Sequence, residues 1–175
     1  MNIPLHTERL ALRQLTLDDA DLMLAIWNDP AFIRNVTDRG IRTLDESRDA
    51  MTKGALQLYE DYGFGPYHVA LKNDDTAIGI CGIFVRDGID DPDIGFALLP
   101  EFCSRGYAWE AAKAVLDYAR DELKLPRLTA IVAPGNAPSV GLIEKLGMQL
   151  ETSMSLPGED DEISLYGINF RSDRG

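Results

Sequence analysis

The segment Leu99-Pro-Glu-Phe-Cys-Ser-Arg-Gly-Tyr-Ala-Trp-Glu-Ala-Ala-Lys113 predicts more about this chain than any other stretch. Residues 93–99 have the pattern of a β-strand, and a helical pattern begins near Tyr107. The first N–H groups of a helix have no acceptor within it, and the positive end of the helix dipole lies behind them. Gly106 can adopt the left-handed geometry of a close anion-binding turn. The segment therefore predicts a phosphate-binding turn, although many strand-to-helix junctions with one glycine bind nothing.

The composition is that of a globular domain. The chain has 175 residues, of which 45% are hydrophobic and 26% charged, enough for one domain with an ample core. No apolar run reaches the roughly 20 residues of a membrane span, and the N-terminus lacks the layout of a signal peptide. Cys81 and Cys103 give no disulfide framework, and no Cys or His spacing suggests zinc. We therefore expect one cytoplasmic domain, residues 1–175, without metal and without membrane contact.

The charge balance limits the partners of the chain. Seventeen Lys and Arg stand against 29 Asp and Glu, a net charge of −12, so the field of the protein should repel nucleic acid. Most of the acidic residues are expected in solvated loops and at helix starts. The cluster of Asp90, Asp91 and Asp93 leads into the expected ligand strand. It is therefore also a candidate for attracting a cationic amine.

Hydrophobic periodicity predicts elements in the order β-α-α-β-β-β-α-β-α-β-β. The predicted strands cover residues 9–13, 67–71, 77–85, 93–99, 128–132, 149–154 and 162–170. The predicted helices begin near residues 16, 44, 107 and 136 and end near Pro30, Gly63, residue 124 and Gly147. Turn residues at 73–75 and 87–88 make the flanking strands antiparallel neighbours. We expect an α+β fold: a mixed, mostly antiparallel sheet of about seven strands flanked by helices.

This order of elements, with a glycine turn between the fourth strand and the third helix, resembles the GNAT family of N-acetyltransferases. The acetyl-CoA turn of that family reads Gln/Arg-x-x-Gly-x-Gly/Ala, and Cys103-Ser104-Arg105-Gly106-Tyr107-Ala108 is similar to it. Four strings resemble its Rim-type branch, typified by ribosomal-protein N-terminal acetyltransferases: residues 7–13, 93–97, 106–111 and 136–147. The resemblance spans nearly the whole chain.

Two residues of the turn depart from the family pattern. Cys103 stands in place of Gln or Arg, but this position contributes mainly a backbone N–H, so the turn can keep its ligand. Trp109 replaces a small or hydroxyl residue, and we expect it to face a neighbouring element rather than the cofactor. Because Cys103 would lie at the positive end of a helix, we also expect its thiol to have a lowered pKa.

The resemblance implies that acetyl-CoA is the co-substrate, and that the acetyl group passes to a primary amine by direct attack in a ternary complex. The pantetheine arm would pair with the backbone of Phe96, Ala97 and Leu98, where an N–H polarises the carbonyl. Asn136 and Ser139 would lie near the arm and the leaving thiol. Such aminolysis requires a base for the amine, an acid for the thiolate and a donor for the oxyanion.

Ser139 and Asp93 are the catalytic candidates. Ser139 matches the family hydroxyl near the sulfur and would act as the acid; alternatively, it is only a first-turn residue of a helix that Asn136 caps. Asp93 lies close to where histone-type members place a carboxylate base. It acts directly or through water, or it is a solvated carboxylate at a strand end.

The acceptor and the assembly stay open at this point. Rim-type members acetylate protein N-terminal amines, whereas relatives modify free amino acids, polyamines or antibiotics. An α-amino group with a pKa near 8 loses its proton more easily than a lysine near 10.4. We therefore expect a protein N-terminus or a small-molecule amine as acceptor, and a monomer or homodimer. The alternative function is a sensor or regulatory module that binds acetyl-CoA without turnover.

Overall fold

Eight strands form one continuous sheet in the computed structural model, which describes residues 4–170. The strands are β1 (Leu5–His6), β2 (Leu10–Gln14), β3 (Pro66–Leu71), β4 (Ala77–Phe84), β5 (Asp93–Leu98), β6 (Arg127–Val132), β7 (Gln149–Met154) and β8 (Ile163–Asn169). The helices are α1 (Ala20–Trp27), α2 (Pro30–Asn35), α3 (Leu44–Lys53), α4 (Ala55–Tyr62), α5 (Tyr107–Asp121) and α6 (Ala137–Lys145). Single 3₁₀ turns cover Leu17–Asp19 and Pro100–Phe102.

The strands lie in the order β1-β2-β3-β4-β5-β6-β8-β7. Within the described residues, β5 and β6 are the one parallel pair, and the other neighbours are antiparallel. The parallel strands pair at a single position, Asp93 with Thr129. From there toward Leu98 and Val132 the two strands are not paired, so a gap opens in the middle of the sheet.

Two hydrophobic layers cover the two faces of the sheet. On one face, α5 buries Ala111, Ala112 and Val115 against the strands. The small alanines allow the helix axis to approach the sheet closely. On the other face, α1 and α3 bury a second cluster that includes Met51 and reaches Ile80 of β4. The longest helix, α5, has 15 residues, and no helix between residues 4 and 170 is long and apolar enough to cross a bilayer.

The structure confirms the predicted α+β class and differs from the prediction in three elements. The short strand β1 raises the number of strands to eight. Pro30 ends the run of α1, as expected, but it also opens α2, because a proline fits the first turn of a helix, where no N–H is needed. The helix predicted from residue 44 divides at Gly54, whose backbone is not helical.

An ionic group around the buried Asp19 fixes the start of α1 against the sheet. The carboxylate of Asp19 accepts hydrogen bonds from Arg13 at 2.8 and 2.9 Å and from the N–H of Thr16 at 2.9 Å. The imidazole Nε2 of His68 lies 3.8 Å from the same carboxylate. Burial and the charge of Arg13 lower the pKa of His68, so the ring is neutral at pH 7.

A close approach of two backbone segments at Gly82 provides a test of the sheet. The N–H of Ile83 donates to the carbonyl of Gly65 at 3.1 Å. A Cβ on Gly82 would overlap the Gly65 oxygen and the Pro66 Cα and lie 2.9 Å from the Gly65 carbonyl carbon. We expect Gly82→Ala to lower the free energy of unfolding by about 2–3 kcal/mol, because backbone atoms must move.

The matched control is Gly141→Ala in α6, where a Cβ meets no atom within 4 Å. This exposed helical position should gain about 0.5–1 kcal/mol, since alanine restricts the unfolded chain. Urea unfolding of both variants measures the difference. Wild-type stability of the Gly82 variant would contradict the close approach.

Candidate functional site

The gap between β5 and β6 leaves backbone groups of β5 without a strand partner. The N–H of Leu99 donates to the carbonyl of Ile78 in β4 at 2.8 Å. Backbone groups of successive strand residues point to opposite sides, so the N–H and C=O of Ala97 also face β4. Those of Phe96 and Leu98 therefore face the gap. Of the three residues expected to pair with a ligand, two have backbone groups available to one, and Ala97 does not.

The expected phosphate-binding turn has the predicted left-handed geometry. Gly106 has a φ of +83° and is the N-cap of α5, where no side chain caps the helix. Ser104 also has a positive φ, +61°, which costs a residue with a Cβ about 1 kcal/mol and is most common at functional sites. In the described chain, the N–H groups from Ser104 to Ala108 have no hydrogen-bond acceptor. The turn thus leaves five donors free for an anion.

Cys103 differs from both expectations made for it. Its N–H donates to the carbonyl of Pro100 at 3.3 Å, so it is not one of the free donors. The predicted lowering of its pKa is wrong. Burial raises the pKa of the Cys103 thiol, and the carboxylates of Asp29 and Glu101 add to this effect. The thiol lies three residues before the N-cap of α5 and is therefore outside the first turn, where the helix dipole acts most strongly.

A hydrogen-bonded clamp joins the N-terminal strands to the turn. One carboxylate oxygen of Glu110 accepts from the hydroxyl of Thr7 at 2.6 Å and from the N–H of Arg9 at 2.8 Å. The other oxygen accepts from Nε of Arg9 at 2.7 Å. The same guanidinium donates to the carbonyl of Arg105 at 3.1 Å and lies 4.3 Å from the ring centre of Tyr107. Arg9 therefore fixes the turn from outside.

Local sequence patterns alone did not reveal this clamp. Its signal was present, since Thr7 and Arg9 belong to one of the strings on which the resemblance rests, and Glu110 to another. Partial burial alone would raise the pKa of Glu110, but the hydrogen bonds from Thr7 and Arg9 lower it overall. The carboxylate is therefore ionised at neutral pH and can hold Arg9 in place.

The side chain of Trp109 faces a neighbouring element, as predicted. It packs with the hydrophobic cluster under α5, and the ammonium of Lys145 lies 4.5 Å from its ring centre. Lys145 is the last residue of α6. The tryptophan thus joins α5 to the end of α6.

Ser139 and Asn136 lie at the start of α6, at the same edge of the sheet as the turn. The carboxamide oxygen of Asn136 caps the helix by accepting from the N–H of Ser139 at 3.4 Å. The hydroxyl of Ser139 is half-buried and makes no hydrogen bond to the described residues. Asn136 therefore caps the helix as expected, and the hydroxyl of Ser139 stays available to a ligand.

Asp93 is neither solvated nor open to a substrate. The residue is fully buried, and both carboxylate oxygens accept from Nε of Arg86 at 3.0 Å. Burial raises the pKa of Asp93 to about 6, although the charge and hydrogen bonds of Arg86 oppose the shift. The reading of Asp93 as a solvated carboxylate is wrong. Direct contact with an acceptor is also excluded in this structure, because Arg86 covers the carboxylate.

The neighbouring acidic cluster is largely neutralised. Asp91 accepts from Nε of Arg127 at 3.0 Å, and Arg127 also pairs with Glu151. With Asp93 bound to Arg86, Asp90 alone of the three makes no ion pair within the described chain. Two of the three carboxylates are ion-paired, so the cluster offers a cation less attraction than its sequence suggested. Between residues 4 and 170, no group of three or more His, Cys, Asp or Glu is placed to hold a metal.

Comparisons with known proteins agree with this arrangement. Residues 9–149 match the family model described as "Acetyltransferase (GNAT) domain". An uncharacterized N-acetyltransferase of Bacillus licheniformis, p20, is 31% identical over 152 residues, which cover 84% of this chain and 83% of that protein.

Two solved structures are similar in fold. An acetyltransferase from Agrobacterium tumefaciens is 26% identical, with a TM-score of 0.81 over 97% of this chain and 95% of the other. The ribosomal-protein acetyltransferase RimL in complex with coenzyme A has a TM-score of 0.82 over 98% of this chain and 100% of that one. Its sequence identity is 16%, so this likeness shows the fold alone.

The burial of Asp93 predicts a specific pH dependence of stability. With a pKa of about 6 in the fold and an ordinary value of 3.8 in the unfolded chain, its contribution is full well below pH 3.8 and is lost as the pH rises through 6. Between about pH 3 and pH 7, the wild type should lose about 3 kcal/mol relative to Asp93→Asn.

Urea unfolding of both proteins across this pH range measures the difference. The matched control is Asp90→Asn, which removes an exposed carboxylate from the loop that leads into β5. A constant difference between wild type and the Asp93 variant would mean that the carboxyl ionises normally.

Proposed function

Since the chain belongs to the GNAT acetyltransferase family and is an acyltransferase, we propose that it transfers an acetyl group from acetyl-CoA to a primary amine. The acceptor is a protein N-terminal α-amine or a small-molecule amine, and attack occurs directly in a ternary complex. One observation carries the proposal. The turn with five free N–H donors lies at the open end of the gap between β5 and β6, and backbone groups of β5 that face this gap are unpaired.

The turn fits the pyrophosphate of a CoA ester. The free donors of Ser104 to Ala108 lie at the start of α5, where the helix dipole favours negative charge. Arg9 and Arg105 bring two cations to the turn. These charges are local, so they act on a phosphate even though the protein as a whole carries −12.

The gap fits the pantetheine arm. The N–H and C=O groups of Phe96 and Leu98 face it and can pair with the amides of the arm as a neighbouring strand would. Bound acetyl-CoA supplies a thioester, and an N–H of β5 that faces the gap polarises the thioester carbonyl and stabilises the developing oxyanion. Ala97 takes no part in this pairing, because its backbone groups face β4. Its side chain packs with the cluster under α1 and α3.

Ser139 is the proposed acid for the leaving thiolate. Its hydroxyl makes no bond to the described chain, and α6 follows β6, so it begins beside the open end of the gap. Asp93 is proposed as a positioning residue that orients Arg86 rather than as a base in contact with the amine. An α-amine near pKa 8 is partly neutral at pH 7 and can lose its proton to water.

A bulky residue at Gly106 should abolish acetyl-CoA binding without unfolding the protein. In Gly106→Leu the side chain would stand among the donors, while its Cβ meets nothing closer than the Arg9 guanidinium at 3.3 Å. We expect a loss of affinity of at least tenfold, measured by calorimetry, and a small drop in melting temperature from the left-handed backbone.

The control for backbone strain is Gly158→Leu in the β7–β8 loop. Gly158 has a φ of +78°, and a Cβ there meets no atom within 4 Å. This variant should lose similar stability and keep full affinity. If the two variants bind acetyl-CoA equally, the site lies elsewhere.

Replacing Ser139 by alanine should lower turnover more than binding. An acid acts mainly in the transition state, so kcat should fall on the order of 10²-fold while the Kd for acetyl-CoA stays within about twofold. Ser139→Thr keeps a hydroxyl and should recover part of the rate. Thiol release with a panel of amines measures kcat. Near-normal turnover of Ser139→Ala would mean that Ser139 is not the acid and has only a structural role in the first turn of α6.

The same assay tests the alternative function. Tight binding of acetyl-CoA with no thiol release for any amine would favour a sensor module without turnover. Release with protein N-terminal peptides only would favour the Rim-type branch.

A further inference from the structure

We propose that Lys145 binds the 3′-phosphate of acetyl-CoA, beside the turn that holds the pyrophosphate. The inference rests on the proposed acetyl transfer and deepens it, because it names a residue that selects the acetyl donor. A carrier that presents the same pantetheine arm without a 3′-phosphate would then be a poor donor. Lys145 belongs neither to the turn nor to the clamp, and it has no role in the proposed chemistry at Ser139.

The turn lies between two cations, each of which lies over an aromatic ring of the first turn of α5. On one side, the guanidinium of Arg9 is 4.3 Å from the ring centre of Tyr107. On the other side, the ammonium of Lys145 is 4.5 Å from the ring centre of Trp109, the residue that directly follows the last free donor, Ala108. Side chains two positions apart on a helix point away from each other. The two cations therefore flank the free N–H donors.

The two cations differ in what they are free to bind. Nε of Arg9 donates to Glu110 at 2.7 Å, and the same guanidinium donates to the carbonyl of Arg105. Lys145 is exposed, and within residues 4–170 it forms no ion pair and donates no hydrogen bond. The ring of Trp109 attracts the ammonium but does not neutralise its charge. Lys145 therefore keeps both its charge and its donors for a ligand.

The indole of Trp109 also lacks a partner. Its Nε1 is buried and donates to no acceptor in the described part of the chain. Buried donors nearly always have an acceptor, and one that stays unpaired costs free energy. An anion that Lys145 binds beside this ring brings oxygen atoms to a place where the described chain supplies none. Two donors without a partner thus lie on the same side of the turn.

The covalent structure of CoA determines where its 3′-phosphate lies. The pyrophosphate joins the pantetheine arm to the nucleotide, so an arm in the gap and a pyrophosphate at the turn leave the nucleotide outside the gap. The 3′-phosphate is on the ribose that carries the pyrophosphate, so it stays close to the turn. Because α5 and α6 bury side chains in one cluster, they cover the same face of the sheet. The contact of Lys145 with Trp109 joins these helices directly beside the turn.

Other cations near the turn are less suited to the 3′-phosphate. Arg105 is part of the turn, and its guanidinium lies 6.0 Å from the ring centre of Phe102, which precedes the turn. Lys113, one helical turn beyond Trp109, pairs with Asp117 at 2.6 Å. A phosphate monoester carries nearly two negative charges at pH 7, and the ammonium of a lysine binds it as a point charge. Among these cations, Lys145 is outside the turn and has no acidic partner.

The test compares acetyl-CoA with acetyl-3′-dephospho-CoA, which lacks only this phosphate. Calorimetry measures both affinities without an acceptor amine, so the result does not depend on turnover. We expect the wild type to bind acetyl-CoA about tenfold more tightly than the analogue. In Lys145→Gln, the affinity for acetyl-CoA should fall roughly three- to tenfold, while that for the analogue stays within about twofold. Lys145→Arg keeps the charge and should keep most of the preference.

The matched control is Lys113→Gln, which removes a cation that is already paired with Asp117 and should leave both affinities unchanged. Lys145 is the last residue of α6, so its charge also interacts favourably with the helix dipole. A purely structural role would lower the melting temperature and change both affinities equally. Equal binding of the two cofactors by the wild type, an unchanged preference in Lys145→Gln, or an equal loss in Lys113→Gln would overturn the proposal.

A failure of the proposed function gives a different result. The expected preference for acetyl-CoA without thiol release for any amine would refute acetyl transfer and keep the phosphate site. Tight binding of acetyl-CoA with no preference over the analogue would refute the phosphate site and keep the proposed function. If the wild type binds neither cofactor, both are wrong.

Discussion

The single pairing of two parallel strands is the constraint on which the rest of the structure depends. β5 and β6 share only the position of Asp93 and Thr129. Parallel strands that separate after one pair leave backbone groups unsatisfied in the middle of a sheet, which is costly unless a ligand or water pairs with them. The gap therefore determines where a ligand can lie and which residues of β5 face that ligand. The turn and α6 follow the two separating strands, so both lie at the open end of the gap.

The second requirement is rigidity at the open end of the gap. A turn with two left-handed residues is strained, and it needs outside support to keep one shape. Arg9 and Glu110 supply it by joining the segment between β1 and β2, the turn and the first part of α5 through a group of charge-assisted hydrogen bonds. The segment between the first two strands thus supports a site about a hundred residues away in the chain.

The charge next to the site and the net charge of the protein have opposite signs. The chain carries −12, yet cations lie at both ends of the gap: Arg9 and Arg105 at the turn, and Arg86 bound to Asp93 where β5 and β6 meet. Away from the turn, Arg127 pairs with Asp91 and Glu151, and Arg86 pairs with Asp93. Net charge therefore describes the field at a distance, whereas a ligand at the site meets the few cations that lie next to it.

The sequence by itself determined the α+β class, most of the elements, the left-handed Gly106 and the family, because periodicity and glycine turns are properties of short stretches. The tertiary structure alone decided the state of each ionisable group. Asp93 is buried under Arg86, Asp91 pairs with Arg127 36 residues away, and Cys103 lies near Asp29. Electrostatic energies depend on burial and on neighbours that are distant in the chain, and no local pattern records either.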